Sequence, residues 1–332
     1  MAELHWNAEA LRARLASLLP GVAVEVVATT GSTSTDLLER ARTAAREMAN
    51  DTGVQIRRSI ESGAYAGGTR ADGVRAGSRA RDTDSAMPSH FTPCLRVAER
   101  QTAGRGRMGR TWHAEPGASL TYSLALELGA ADWSGLSLAV GVALAEALDP
   151  AVEGRAARIA LKWPNDLWLL DEPSRGRKLG GVLIESIPFG AQRVAVVGVG
   201  LNVLPVAARA DFASGYACMH ELAPSANAPA LLAEVAPALV EALRLFERSG
   251  FAAFHQRYAK RDLLFGHAVR TSGAEASEGV ADGVTSHGAL ILRAADGQVR
   301  QVVSGEVSVR LAGPANACDD APVPSLPAAT RC

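Results

Sequence analysis

Arg105, Arg107 and Arg110 fall within six positions of a glycine-rich turn, Gly104-Arg105-Gly106-Arg107-Met108-Gly109-Arg110. Glycine lets the backbone approach a ligand closely, and each guanidinium presents planar, paired donors to phosphate or carboxylate oxygens. Such a turn can gather anionic oxygens; standing alone it reads first as a solvated basic turn. It matches Gly-x-Gly-x-x-Gly letter for letter. A dinucleotide-binding turn of that form opens a helix whose N-terminus holds the pyrophosphate. Here Pro116 and Gly117 lead into a strand, and no helix stands between the turn and Glu127, so the dinucleotide reading is set aside.

Three further segments carry comparable chemistry. Lys162-Trp163-Pro164-Asn165-Asp166 offers an ammonium, an amide and a carboxylate around a rigid turn. Arg177-Lys178-Leu179-Gly180-Gly181-Val182-Leu183-Ile184-Glu185 sets a lysine at the rim of an apolar strand. Gly198-Val199-Gly200-Leu201-Asn202-Val203 ends a buried strand between glycines. Each has a plain structural reading as well: an Asn-Asp turn over a buried Trp163, an exposed hairpin lysine, and close backbone packing.

The elements that must position these groups follow from periodicity. Residues 7–19 read as a short amphipathic helix with Asn7 as a candidate N-cap, and residues 22–27 as a strand. A small polar loop, Thr29 to Thr35, precedes a helix from Leu37 to about Arg46. Residues 47–93 repeat Gly, Arg, Asp and Ser with hardly any periodic apolar residues, which predicts a flexible surface insertion. Strands are expected over 95–99, 121–128, 159–163, 167–170, 178–185 and 194–203, with helices over 136–148, 230–249 and 251–261. From His267 to Leu311, turn signals such as Asp282-Gly283 and Asp296-Gly297 separate about five short strands, which suggests a small barrel. The tail from Gly313 is rich in Pro, Ala and Asp and reads as disordered. The pattern is α+β with a mixed sheet and flanking helices, not strict βαβ alternation. The expected division is residues 1–262, 263–312 and the tail 313–332.

Composition narrows the functional classes. The 332 residues carry 34 Lys and Arg against 35 Asp and Glu, a formal net charge of −1. That argues against a nucleic-acid coat or a polybasic membrane binder. The four cysteines, Cys94, Cys218, Cys318 and Cys332, form no Cys-x-x-Cys pair, so neither a disulfide framework nor a zinc site is expected. The longest apolar stretch, Leu136 to Leu148, is too short to span a bilayer. With no secretory or membrane signal, a cytoplasmic location is expected.

In this order, the segments resemble one family, the biotin–protein ligases. The matching pieces are Gly31-Ser32-Thr33-Ser34, Gln101 through Trp112, Lys162 through Asp166, Lys178 through Glu185 and Gly198 through Val203, spanning about residues 22–311 apart from the insertion. The resemblance implies a catalytic domain of the class II synthetase-like type followed by an SH3-like barrel. It implies ATP-dependent formation of biotinoyl-5′-AMP, then transfer of biotin to a lysine of the biotin carboxyl carrier protein of acetyl-CoA carboxylase. It assigns biotin to Ser32, Thr33, Ser34, Gln101, Arg105, Gly106, Arg107 and Lys178. It assigns ATP to Arg105, Arg107, Arg110, Trp112, Asn165 and Asn202. Arg107, Lys178 and Asp166 are the expected catalytic residues. Asp166 would orient or deprotonate the carrier lysine, or else help hold Mg²⁺ that arrives with ATP; no fixed metal site is expected. Two positions depart from the family pattern, Ser34 where Asn is usual and Ser119 in Gly117-Ala118-Ser119. Neither change removes a charge.

Some relatives carry an N-terminal winged helix-turn-helix, but about 30 residues precede Ser32 and show no recognition-helix pattern, so no DNA binding is expected. The competing readings are a lipoate ligase or octanoyltransferase and a non-catalytic biotin-binding module. The latter would not need Arg107 or Lys178.

Overall fold

Apolar and β-branched runs assemble into a mixed sheet of seven strands in the computed structural model, which describes residues 4–61, 90–172, 175–207, 215–272, 278–303 and 308–311. The strands are β1 (Ala23–Thr30), β2 (Cys94–Gln101), β3 (Ser119–Glu127), β4 (Ile159–Lys162), β5 (Asp166–Glu172), β6 (Arg175–Phe189) and β7 (Gln192–Asn202). Their order is β1-β2-β3-β7-β6-β5-β4. Only β1 and β2 run parallel; the other neighbours are antiparallel. The helices are α1 (Ala8–Ala16), α2 (Thr33–Glu61), α3 (Leu136–Leu148), α4 (Ala228–Ser249) and α5 (His255–Ala259).

Strand alternation gives the sheet two different faces. Leu120, Tyr122, Leu124 and Leu126 of β3 point into the main core, where residues of α1, α3 and α4 also pack. On the other face, Ala125 of β3 and Val194 and Val196 of β7 lie beneath Leu37, Leu38 and Ala41 of α2. The same alternation carries that second face past the end of α2 to Ser123, Thr121 and Ser119, and to Gly198, Gly200 and Asn202. There the face turns polar and opens into a cavity.

The C-terminal part forms a second sheet, wholly antiparallel, of β8 (Ala268–Ser272), β9 (Glu278–Val284), β10 (Leu290–Arg293), β11 (Val299–Val302) and β12 (Ser308–Leu311), in the order β11-β10-β9-β8-β12. Val269, Ala281, Val284, Leu290 and Leu292 join the main core.

Two local expectations are corrected. Asn7 does not cap α1: its φ is 45° and its side chain makes no capping bond. Helix α2 does not end near Arg46 but runs to Glu61, into the segment read as a flexible insertion. At its other end Phe91 is buried beside Leu37 and Phe189, so 90–93 are not a surface insertion either; residues 62–89 and the tail 313–332 lie outside the described residues.

Candidate active site

The cavity at the polar end of the second sheet face has a volume of about 1200 Å³. That is above the usual range of a small-molecule site, ~300–1,000 Å³. Its walls are the turn before α2, the Gly104–Arg110 turn, the β4–β5 turn, and the facing ends of β3, β6 and β7.

One end is built from hydroxyls. Ser32 stands at the N-terminus of α2, where its carbonyl accepts the Asp36 amide at 3.0 Å. This turns the next side chains toward the sheet, and Ser32, Thr33 and Ser34 are all buried. Gln101 Oε1, at the end of β2, accepts the Thr33 amide at 2.8 Å and its hydroxyl at 3.2 Å. Ser123 Oγ of β3 lies 2.8 Å from Thr33 Oγ1 and 3.0 Å from Ser34 Oγ. The result is a connected set of donors and acceptors. Two glycines of β7 make room beside it. A Cβ on Gly198 would fall 2.5 Å from Ser34 Oγ, and one on Gly200 2.4 Å from the Trp112 ring.

The other end is charged. Gly106 donates to the Arg110 carbonyl at 2.7 Å, and Trp112 donates to that of Gly104 at 2.9 Å, folding the glycine–arginine turn back on itself. Arg107 Nη1 then donates to Asn165 Oδ1 at 3.3 Å. Asn165 is fixed from behind: its amide donates to the Val182 carbonyl at 2.7 Å, and its carbonyl accepts the Val182 amide at 2.9 Å. Beside it, Asp166 Oδ1 holds Lys178 Nζ at 2.8 Å across β5 and β6. That ammonium also sits 5.9 Å from the Trp112 ring centroid. Burial lowers the pKa of Arg107, Asp166 works against the shift and Arg110 adds to it. An arginine this far above neutrality stays charged throughout. Lys162 is buried with its ammonium 4.5 Å from the Trp168 ring centroid.

The sequence-derived residues therefore share one cavity, but not all face it in the same way. Arg105 is half-exposed, and its guanidinium pairs with both carboxylate oxygens of Glu185 at 2.9 and 3.0 Å. Asn202 is buried, with its amide donating to the backbone carbonyls of Ala217 at 2.9 Å and Lys178 at 3.2 Å, so it braces the strand that carries Lys178. Ser119 Oγ accepts the Glu115 amide at 3.4 Å. Sequence reasoning missed Ser123 and Thr121. Their signal was present: three hydroxyl residues at alternate positions, Ser119, Thr121 and Ser123, on one face of an otherwise apolar strand. Among the described residues, no group of three or more His, Cys, Asp or Glu side chains could hold a metal ion.

Comparison with known proteins places this fold and cavity in a family. The family described as "Biotin/lipoate A/B protein ligase family" matches residues 84–202. "Biotin protein ligase C terminal domain" matches residues 268–310. The bifunctional ligase/repressor BirA of Salmonella typhimurium is 36% identical over 221 residues, covering 65% of this chain and 66% of that protein. The chain thus spans about two thirds of that relative's length. The biotin–[acetyl-CoA-carboxylase] ligase of Mycobacterium tuberculosis is 31% identical over 71% of this chain and 83% of its own length. Among solved structures, a biotin protein ligase from Aquifex aeolicus in complex with biotin and ATP aligns with a TM-score of 0.55 at 27% identity, covering 66% of this chain and 89% of that one. The chain belongs to the biotin protein ligase family.

Proposed function

We propose that this chain joins biotin to ATP, forming biotinoyl-5′-AMP and pyrophosphate, and passes the biotinoyl group to a lysine of a biotin carboxyl carrier protein of acetyl-CoA carboxylase. The observation that carries this reading is the pairing of two ends in one cavity: the Thr33–Ser34–Ser123–Gln101 hydroxyl and amide cluster, and the Arg107–Asn165 and Lys178–Asp166 contacts. A urea ring needs neutral donors and acceptors together, which the first end offers. The second end supports the meeting of two anions, a carboxylate and a triphosphate, whose repulsion needs fixed cations.

In the first step, a biotin carboxylate oxygen attacks the α-phosphorus while the bond to the bridging oxygen breaks and pyrophosphate leaves. Arg107 and Lys178 face the oxygens that gain charge, and Arg110 faces the departing pyrophosphate. Trp112, whose Nε1 is buried without a partner among the described residues, forms the wall on the adenine side. Asn202 keeps Lys178 in register. Arg105 contributes by fixing the turn to Glu185. In the second step, the carrier amine attacks the acyl carbon, AMP leaves with the phosphate oxygen, and the amine proton passes to Asp166.

Mg²⁺ belongs with the triphosphate in this scheme. With Asp166 already paired to Lys178 and no carboxylate cluster beside it, the residues fit a metal carried in on phosphate oxygens better than a resident one. Such a metal would neutralise charge on the leaving pyrophosphate. No helix among the described residues is long and apolar enough to cross a membrane, which suits a cytoplasmic enzyme. The proposed role is that of a ligase with no nucleic-acid partner.

The test is mass measurement of a biotin carboxyl carrier domain after incubation with the protein, Mg-ATP and biotin. One biotinoyl group should be added, and none when lipoate replaces biotin. A carrier left unmodified with biotin, or modified with lipoate, would overturn the reading.

A further inference from the structure

The β4–β5 turn that presents Asn165 and Asp166 is held from outside by the C-terminal sheet. Trp163 is buried to 1% exposure, and its Nε1 donates to the Gly288 carbonyl at 2.9 Å. Gly288 sits in the turn between β9 and β10, closed by the Gly288 amide on the Thr285 carbonyl at 2.9 Å and the Ala289 amide on Thr285 Oγ1 at 3.1 Å. Its φ is +80°, and a Cβ there would lie 2.6 Å from the Cα of Gly135 at the start of α3. Neither backbone has a side chain to move aside, so this turn fits only as glycine. The Trp163 turn is held as well by Ser137 Oγ of α3, which donates to the Pro164 carbonyl at 2.9 Å.

We propose that Trp163 and Gly288 are positioning residues through which the C-terminal sheet sets the Asn165–Asp166 turn against Arg107 and Lys178. The inference rests on the ligase reading for its kinetic meaning, but the contact itself can be tested without turnover. The connection is short. Trp163 is two residues before Asn165, which holds Arg107, and three before Asp166, which holds Lys178. Among the described residues, the hydroxyl cluster at Thr33, Ser34 and Ser123 is held by its own bonds and by Gln101, with no hydrogen bond to Trp163 or Gly288. Loosening the strut therefore disturbs the charged end of the cavity and spares the hydroxyl end.

Two variants break the contact from opposite sides. Trp163→Phe removes the donor while keeping an aromatic ring, and leaves the buried Gly288 carbonyl unpaired. Gly288→Ala forces the two backbones apart from within the C-terminal sheet. Both should lower kcat/KM for ATP in biotin-dependent pyrophosphate exchange by about tenfold, with KM for biotin changed less than about twofold. Independently of activity, hydrogen exchange at the Val182 amide, which donates to the Asn165 carbonyl, should quicken in Trp163→Phe by a similar factor. A protein that merely lost stability would show equal losses for both substrates and faster exchange everywhere. If folded Trp163→Phe keeps wild-type ATP dependence and Val182 protection, the strut proposal is wrong. A wild-type protein that exchanges no pyrophosphate would instead remove the ligase reading, and Val182 protection would still decide whether the strut holds the turn.

Discussion

Asp166 faces two cations at once: Lys178 Nζ at 2.8 Å, and Arg107, whose charged form the carboxylate favours. In the proposed cycle both cations turn to the substrates' oxygens, which leaves the carboxylate able to take a proton from the incoming amine. Asp166→Asn keeps the shape and gives up the basicity. It should slow transfer from preformed biotinoyl-5′-AMP by at least ~100-fold while reducing pyrophosphate exchange far less, as expected for loss of a positioned general base. Single-turnover transfer measured beside exchange separates the steps. A variant that transfers at the wild-type rate and fails only in adenylate formation would move Asp166 to the first step.

At the scale of elements, the site depends on strands that stop being apolar at the right place. The alternation of β7 carries Val194 and Val196 beneath α2, then puts Gly198 and Gly200 where Ser34 and Trp112 need the space. Gly200→Ala should push the Trp112 ring out of its seat. We expect a loss of ~1–3 kcal/mol in ATP binding by calorimetry, with the fold intact by circular dichroism, as for an overpacked buried contact. Unchanged ATP affinity would mean that Trp112 does not wall the nucleotide. Much of this was legible in the sequence. Strong runs such as Leu136–Leu148 and the β7 strand announced themselves, because burial on two sides leaves nearly continuous apolar residues. The glycine–arginine turn and the Lys162–Asp166 turn stood out by residue type. What sequence could not separate was the direction of a polar side chain. Asn202 and Arg105, expected at the ligands, line the cavity while donating to backbone carbonyls and to Glu185, partners that one dimension does not show. Ser123 looked like an ordinary alternating position until Thr33 and Ser34 met it from α2. The α2 extension was missed because residues after Arg46 are mixed in polarity, and an N-terminal half anchored by Leu37, Leu38 and Ala41 does not reveal where the helix ends.

For the molecule as a whole, the join between the two sheets carries a half-buried acid. Asp262 pairs alongside Leu161 at the edge of β4, with Oδ1 accepting the Leu264 amide at 2.9 Å and Oδ2 buried without a partner among the described residues. Burial pushes its carboxyl up to about 6 from an ordinary 3.8, against the opposing pull of the Leu264 and Phe265 amides, the Tyr258 hydroxyl and His267. The unfolded chain gives up this proton first, so between those two values the folded form alone retains it. The contribution of Asp262 to stability therefore falls as pH rises through that window and stays low above it. Asp262→Asn should be more stable than wild type at neutral pH by ~1–2 kcal/mol, with the difference shrinking toward pH ~4. Denaturant unfolding of both proteins across that range reads this directly, and a pH-independent difference would show that Asp262 ionises normally.

In the proposed cycle, Lys178 and Arg107 together screen the negative charge between an acid and a nucleotide in one cavity. Exchange of labelled pyrophosphate into ATP tests it most directly. Wild-type protein should incorporate label only when biotin is present, and Lys178→Ala should lose that incorporation by ~100-fold or more while still binding biotin, since fixed charge acts mainly on the transition state. Incorporation by Lys178→Ala at the wild-type rate would show that this lysine does not screen the reacting charges.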